Sequence, residues 1–400
     1  MSLIRRLKNW YHFVNASIAV LVYRYPAKSL EVIGVTGTDG KTTTSTLTYH
    51  MLKEQGIKVG LISTVAAYIG NQEIDTGFHV TSPDPWSLQR LLRRIVNEKY
   101  THLVLECTSH GLDQHRLLGT NIKTSIITNI THEHLDYHKT IEEYLKAKAK
   151  ILKNNRISIL NSDDNSYPEL KRLVPKKSLL VRYSLTHRSV SSLSSKDVSS
   201  ILKSAADRFE ESYNHANCLA ASAAVAAVNG SASVIPKAIK SFKGIPGRMQ
   251  EIPNQHGITA IVDFAHTPNA LKNALTSAKN RSSGKLIAVF GAAGLRDASK
   301  RPLMGKIASE IADEVILTAE DPRTEKIDKI SAEIRSGATK NFGHIHQVDD
   351  RKQAISFGLS LARKGDTLIV CGKGHEQSMN LDGKHEIPWS DADTLKSLMA

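Results

Sequence analysis

Apolar runs of four to six residues alternate with longer stretches of helical spacing along most of this chain. Val32, Ile33 and Val35 open the series as a buried strand, and a Thr-rich helix then runs towards Gly56. Val59–Val65, His102–Glu106, Ile126–Ile130 and Ile157–Leu160 read as further strands. Between them, 86–100 has apolar residues at 88, 91, 92, 95 and 96, which predicts a helix, and 142–152 predicts another. Gly70-Asn71 reads as a loop, and the Ser-rich stretch 190–204 as a surface excursion or hairpin. The Ala-rich stretch 213–228 is helical. The pattern breaks at Gly244-Ile245-Pro246-Gly247-Arg248, a linker signal, and a second set of strands follows at 259–263, 286–290, 315–318 and 367–371. Strands alternating with helices predict the α/β class with mostly parallel sheets. The expected domains are 1–30, a hydrophobic and basic helix, then 31–247 and 248–400.

The most informative turn follows the first strand. Gly37-Thr38-Asp39-Gly40-Lys41-Thr42-Thr43 leads straight into a helix. Strand, glycine loop and helix make a phosphate cradle, because glycines let backbone N–H groups turn on an anion and the helix N-terminus adds partial positive charge. Lys41 is placed to reach terminal phosphates and the Thr42 hydroxyl to hold Mg²⁺. The strict pattern asks for glycine at position 35, where this chain has Val35, so this is a P-loop variant.

Composition adds three constraints. The 400 residues are 40% hydrophobic and 23% charged, ordinary for a soluble globular protein with a core large enough to need no disulfide. Cys107, Cys218 and Cys371 are scattered, with no CxxC pair, which fits a reducing cytoplasm and no structural zinc. The net charge of +14 implies anionic partners, and without basic blocks interleaved with aromatics it does not favour nucleic acid. At the N-terminus, Arg5, Arg6 and Lys8 precede an apolar stretch, 10–25, too short to span a bilayer. It reads either as a helix packed on the next domain or as one lying on an acidic membrane.

Polar groups gather at strand ends, where open α/β sheets bind ligands. Glu106 closes one strand and is suited to an Mg²⁺ shell, with Thr108, Ser109, His110 and Arg116 close behind as an anion grip. His134 lies in the cluster 132–138 past the next strand and can ligate a second Mg²⁺. Lys146, Lys148 and Lys150 share a helix and, on composition alone, form a solvated basic face. In the second half, Asp263, the turn bearing Arg296, Asp297, Lys300 and Arg301, then Asp321-Pro322-Arg323, and Gly372-Lys373-Gly374-His375-Glu376 end successive strands. Their mixture of both charge signs suits a zwitterion such as an amino acid.

Taken in order, GVTGTDGKTTT (34–44), TSP (81–83), LECTSHGLDQHR (105–116), TNITHEHLDYH (128–138), YLKAK (144–148), NSDD (161–164), GRM (247–249), VDFAHTP (262–268), GAAGLRDASKRP (291–302), EDPR (320–323) and CGKGHE (371–376) resemble the Mur ligases. These are ATP-dependent amide-forming enzymes of peptidoglycan synthesis, and the resemblance is strongest to the MurE-type branch, the UDP-N-acetylmuramoyl-tripeptide synthetases. It implies a central P-loop ATPase-like domain followed by a Rossmann-like domain that binds an amino acid. It implies that Lys41 and the amides of Gly37, Thr38, Asp39, Gly40 and Thr43 hold ATP phosphates. Thr42 and Glu106 then hold one Mg²⁺, His134 a second, and Lys148 is carbamylated by CO₂ to give an anionic group near the metals. Thr81, Ser82, Thr108 and Arg116 are implied to contact a muramoyl-peptide, Asn217 the adenine side, Arg248 a phosphate and Asp263 the ribose. Arg296, Asp321, Arg323, Gly372 and Glu376 are implied around the incoming amino acid. The implied reaction forms an acyl phosphate from a substrate carboxylate, which the amine then opens.

The chain departs from the family pattern in three places. Only residues 1–30 precede Glu31, where the family usually carries a domain for the UDP end, so a chain without that domain is expected. Leu295 stands where the glycine turn usually has Asp, and Asp321 where the family has Asn. Arg323 is present, and in this family it accompanies meso-diaminopimelate, whose second carboxylate it can pair. The expected activity is addition of that amino acid to a UDP-N-acetylmuramoyl-dipeptide by a cytoplasmic monomer. The alternatives are a related ligase on a lipid-linked or other carrier, a folylpolyglutamate-synthase-like ligase, and a nucleotide-binding module without catalysis.

Overall fold

A computed structural model describes residues 3–70, 72–74, 83–131, 135–339 and 344–400, and the chain forms two compact units, 1–243 and 244–400.

The first unit opens with helix α1 (Leu3–Val22). Then come β1 (Glu31–Thr36), α2 (Lys41–Glu54), β2 (Val59–Ile62), β3 (Ala67–Ile69), β4 (Gln72–Ile74), α3 (Pro85–Asn97), β5 (His102–Glu106), α4 (Ser109–Asp113) and β6 (Ile122–Ile127). It continues through α5 (Leu135–His138), α6 (Ile141–Ala149), β7 (Ile157–Asn161), α7 (Tyr167–Leu173), β8 (Leu179–Ser184) and β9 (Ser189–Val190). Helices α8 (Ser195–Arg208), α9 (Ser212–Ala227) and α10 (Ile235–Ser241) complete it. Its nine strands form one sheet in the order β4-β3-β2-β5-β1-β6-β7-β8-β9, with the run β2-β5-β1-β6-β7-β8 parallel, two antiparallel pairings (β2/β3 and β3/β4) at one edge and one (β8/β9) at the other. Strand β1 lies between β5 and β6, and Val35 is level with both Glu106 and Ile126. That register brings three strand ends, and the loops they feed, to one rim. Val32, Leu103, Leu105 and Ile127 pack under Leu88, Leu92 and Ile95 of α3 and Tyr144 and Leu145 of α6. Alternate residues Ile33, Val35, Val104 and Ile126 are equally buried, so both faces of the sheet are covered, as a parallel sheet requires.

The structure corrects two sequence expectations here. Residues 195–208 are a helix, not a hairpin or excursion: the Ser194 hydroxyl caps the Asp197 N–H at 3.1 Å, and Val198, Ile201, Leu202 and Ala205 bury one face. Of the serines that suggested a loop, Ser194 caps the helix and Ser195, Ser199 and Ser200 are exposed, while Ser204 is buried with the apolar face. The stretch after β2 is not loop throughout: Ala67–Ile69 and Gln72–Ile74 pair antiparallel as β3 and β4, with Gly70 in the turn after β3. Helix α1 packs on α3, with Ala16 and Ala19 fully buried. No described helix is long and apolar enough to cross a membrane.

The second unit runs β10 (Gln250–Glu251), β11 (Thr259–Asp263), α11 (Pro268–Arg281), β12 (Leu286–Phe290), α12 (Lys300–Ile311), β13 (Glu314–Leu317), α13 (Ile327–Arg335), β14 (Ile345–Gln347), α14 (Arg351–Leu361) and β15 (Thr367–Cys371). A small hairpin of β16 (Ser378–Asn380) and β17 (Glu386–Pro388) and helix α15 (Asp391–Met399) close it. The sheet order is β10-β11-β15-β12-β13-β14, parallel except for β10. The period-2 alternation of strands is visible in its two cores. Leu286, Ala288 and Phe290 face α11, α12 and α13, while Ile287 and Val289 face α14 and α15. Both units are therefore helix-covered parallel sheets of the α/β class.

Candidate active site

The glycine loop after β1 is held by the loop after β6. Thr38 N–H donates to Asn129 O at 2.9 Å, and Asp39 N–H to Asn129 Oδ1 at 2.8 Å. Thr128 Oγ1 and Asn129 Nδ2 both donate to Asp39 O, at 2.7 and 3.0 Å. Two glycines are needed for steric reasons. A Cβ on Gly37 would lie 1.8 Å from Thr128 Oγ1, and Gly40, at φ 79°, sits in the left-handed region as the N-cap of α2. Lys41 folds back on the loop, its Nζ 2.7 Å from Thr38 O.

Thr42, in the first turn of α2, donates from Oγ1 to Glu106 Oε1 at 3.0 Å. Glu106 is 1% exposed at the end of β5 and also accepts from Thr64, whose N–H reaches Oε2 at 3.0 Å and whose hydroxyl reaches Oε1 at 2.9 Å. Neutral donors surround a buried carboxylate, which suits a group with lone pairs to lend to a cation. Sequence reasoning missed Thr64, as well as Asn129 as a brace of the loop. Each follows the end of a strand flanking β5 or β1, and that placement is the signal that could have found them.

Lys148 corrects the reading from composition. Lys146 is exposed and Lys150 is paired with Asp113 at 2.6 Å, but Lys148 is 1% exposed. Its Nζ is 2.5 Å from Gly37 O and 4.4 Å from the centre of the Tyr144 ring. Tyr144 in turn places its hydroxyl 3.3 Å from Thr38 Oγ1. The lysine thus lies against the back of the glycine loop. Asn217 in α9 accepts from Thr44 Oγ1 at 3.2 Å and lies against Gly40. Thr43 is half-buried in the first turn of α2. The Thr108 hydroxyl caps α4 through the Gly111 N–H at 3.0 Å, so its oxygen is already engaged, and Arg116 follows α4, half-buried. Thr81, Ser82 and His134 lie outside the described residues.

In the second unit the strand ends of β11, β12, β13 and β15 collect the remaining candidates. Asp263 accepts from Met249 N–H at 2.7 Å and Ala265 N–H at 2.8 Å, and the Arg248 guanidinium lies 4.6 Å from the Phe264 ring centre. After β13, Asp321 is bound bidentately by Lys373 Nζ, at 2.9 and 3.0 Å, and Lys373 also meets Glu376 at 2.5 Å. Burial pulls the Lys373 pKa down, but Glu376 and Asp321 outweigh it and hold the ammonium above its ordinary value. The substitution of Asp for Asn at 321 is therefore neutralised by Lys373. Arg323, at φ 55°, donates from Nη1 to Gly294 O at 2.5 Å, which leaves other N–H groups of the fork for a ligand. Arg296 is exposed on the glycine turn. Gly372 approaches Glu320 closely: a Cβ there would lie 2.2 Å from Glu320 Oε2. Glu320 itself was not a candidate. It is buried, and that burial pushes its carboxyl up to about 7 against the pull of Lys300, Arg351, His266 and Lys373.

Comparison with known proteins assigns both units. Residues 35–225 match the Mur ligase middle domain, and residues 247–374 match a domain described as "Mur ligase, glutamate ligase domain". A relative from Bacteroides fragilis, UDP-N-acetylmuramoyl-L-alanyl-D-glutamate--2,6-diaminopimelate ligase, is 38% identical over 398 residues, covering 96% of this chain and 80% of that protein. A solved structure of a ligase of the same name is 30% identical, with a TM-score of 0.59 over 92% of this chain and 78% of that one. Mycobacterium tuberculosis folylpolyglutamate synthase complexed with ADP shares the fold, with a TM-score of 0.71 at 14% identity, over 90% and 91% of the two chains. Two domain matches in the right order and a relative alike along nearly the whole chain lead to one statement: the chain belongs to the Mur ligase family, ATP-dependent ligases of peptidoglycan synthesis.

Proposed function

We propose that this ligase adds meso-diaminopimelate to UDP-N-acetylmuramoyl-L-alanyl-D-glutamate, in the cytoplasm and as a monomer. The observation that carries the ligase chemistry is Lys148, buried against Gly37 O of the glycine loop that leads into Thr42, the partner of Glu106. Residues 31–247 act as the ATP-binding domain and 248–400 as the amino-acid domain. Lys41, the amides of residues 37–43 and Arg248 hold the phosphates of ATP, Asn217 lies on its adenine side and Asp263 holds its ribose. Thr108 and Arg116, with Thr81 and Ser82, hold the muramoyl-peptide.

Thr42 and Glu106 fit one Mg²⁺ in the chemistry of their oxygens, and His134 is assigned to a second. When bound, these ions neutralise charge on the transferring phosphoryl group. Neutral Lys148 adds to CO₂ and releases one proton, which converts a cation into an anionic carbamate. In that form it satisfies the metal side of the site without a carboxylate residue. The substrate carboxylate takes the γ-phosphoryl group to give an acyl phosphate and ADP. The amine of the incoming amino acid then attacks the carbonyl, and phosphate leaves. Arg323 pairs the side-chain carboxylate of diaminopimelate through its remaining N–H groups, while Arg296, Asp321, Gly372 and Glu376 surround the zwitterion.

The test is phosphate release from ATP and Mg²⁺ with the UDP-linked dipeptide, comparing meso-diaminopimelate with L-lysine, with product mass read in parallel. Diaminopimelate-dependent tripeptide is the expected result. Lysine preferred would overturn the role of Arg323, and ATP binding without turnover would point to another carrier. The carbamate has its own test: ¹³C NMR after equilibration with labelled bicarbonate should give a carbamate signal that Lys148→Ala removes.

A further inference from the structure

Helix α1 has two apolar faces. On the inner one Ala16 and Ala19 are fully buried and Val20 is 3% exposed, and the Val20 side chain packs so tightly that a Cβ on Gly119 would meet it at 2.6 Å. At about 100° per residue, Trp10, Tyr11, Val14, Ile18, Leu21 and Val22 fall on the opposite side. Trp10 is 67% exposed, Tyr11 63%, Leu21 and Val22 59% each, and Ile18 46%. Positions 3 and 7, both leucine, continue the same spacing in the sequence. A helix already packed on its domain is expected to turn polar residues outward. This one turns out an apolar stripe, and Tyr25 and Trp86, also exposed, extend it past the helix end and onto α3. Contiguous exposed apolar surface of this kind marks a docking site.

The charge around the stripe selects the occupant. Residues 1–30 contain Arg5, Arg6, Lys8, Arg24 and Lys28 and no Asp or Glu, and on α3 both Arg90 and the N-cap Asp84 are exposed, so the flank stays cationic on balance. A second copy meeting this face across a two-fold axis would set that cationic flank against itself. An anionic surface would be matched by it. Aromatic side chains at 10, 11 and 25 suit the boundary between headgroups and acyl chains. No described helix can cross a bilayer, so α1 can only lie on one.

We propose that the outer face of α1 is a lipid-docking surface, resting Trp10, Ile18, Leu21 and Val22 in the interfacial layer of an anionic bilayer with the exposed Arg24 and Lys28 side chains among the headgroups. This placement is independent of which amino acid the enzyme adds.

The experiment is flotation of the full chain with vesicles of phosphatidylcholine alone or with about 30% phosphatidylglycerol, in roughly 0.1 M salt. The expected result is about tenfold more protein on the anionic vesicles, weakened by added salt, with a blue shift of Trp emission that Trp10→Phe reduces. The triple variant Trp10→Gln, Ile18→Gln, Leu21→Gln should lose about tenfold of that binding while ATP turnover stays unchanged. These are exposed positions, and the vesicle series on the unaltered chain decides the question by itself if the variant folds poorly. Equal weak association with both vesicle types overturns the proposal. So does a solution dimer that the triple variant dissociates, which would assign the stripe to a second copy.

Discussion

Glu320 is a carboxyl only 5% exposed that has, at Oε2, no hydrogen-bond partner among the described residues. Its pKa of about 7 in the folded chain stands above the ordinary 4.5, so the native state binds a proton more tightly than the unfolded one. The stability it contributes is fully present below pH 4.5 and is lost as pH rises through about 7. Glu320→Gln should therefore raise the urea midpoint at pH 8, by on the order of 3 kcal/mol of stability at most, and leave it unchanged near pH 4.5. A midpoint that rises equally at both values would mean the gain is packing and not charge. Gly40→Ala tests the glycine loop. A left-handed alanine costs about 1–2 kcal/mol, and its Cβ would lie 2.4 Å from Asn217 Oδ1. Weaker ATP binding in a chain that still folds is the expected outcome, read by nucleotide titration.

Arg351, at the start of α14, holds several elements at once. It forks onto Asp391 of α15 through Nε and Nη2, both at 2.7 Å, and donates to Ala319 O after β13 at 3.0 Å and Cys371 O in β15 at 2.8 Å. Those carbonyls immediately precede the segments bearing Asp321 and Gly372. Arg351→Met leaves the Asp391 charge buried without its partner and should cost about 3–5 kcal/mol. KM for the amino acid should rise more than KM for ATP, and an equal rise in both would remove this positioning role. At this scale β1, β2, β5, β6, β7, β11, β12, β13 and β15 were legible because each is a compact apolar run between glycines or charges, whereas β8, which carries Arg182 and Ser184, and the short strands β9, β10, β14, β16 and β17 were not read. Helix α8 was not, because its serines mask a buried spacing that shows only when 198, 201, 202 and 205 are read together. The three-residue strands β3 and β4 were too short to leave a period. Lys148 was invisible to composition, since burial of one lysine among three on a helix depends on the neighbouring loop; only the ordered motifs singled it out.

Over the whole molecule, the charge of +14 faces substrates that are polyanions. Long-range attraction should speed their encounter, so raising salt from about 0.02 to 0.3 M is expected to lower kcat/KM roughly tenfold and kcat far less. A parallel fall in both would place the salt effect in the chemical step. All three thiols are fully buried, and burial raises each above its ordinary value, Cys218 to about 12. Buried, protonated thiols are inert. Native protein should then release no chromophore with a thiol reagent until denaturant is added. For spectroscopy this is a convenient accident: the unaltered chain is already a blank background. One cysteine introduced at an exposed position, Ile18 of α1 for instance, would carry a single spin or fluorescent label, and the depth of that label against a quencher could be read without removing any native residue.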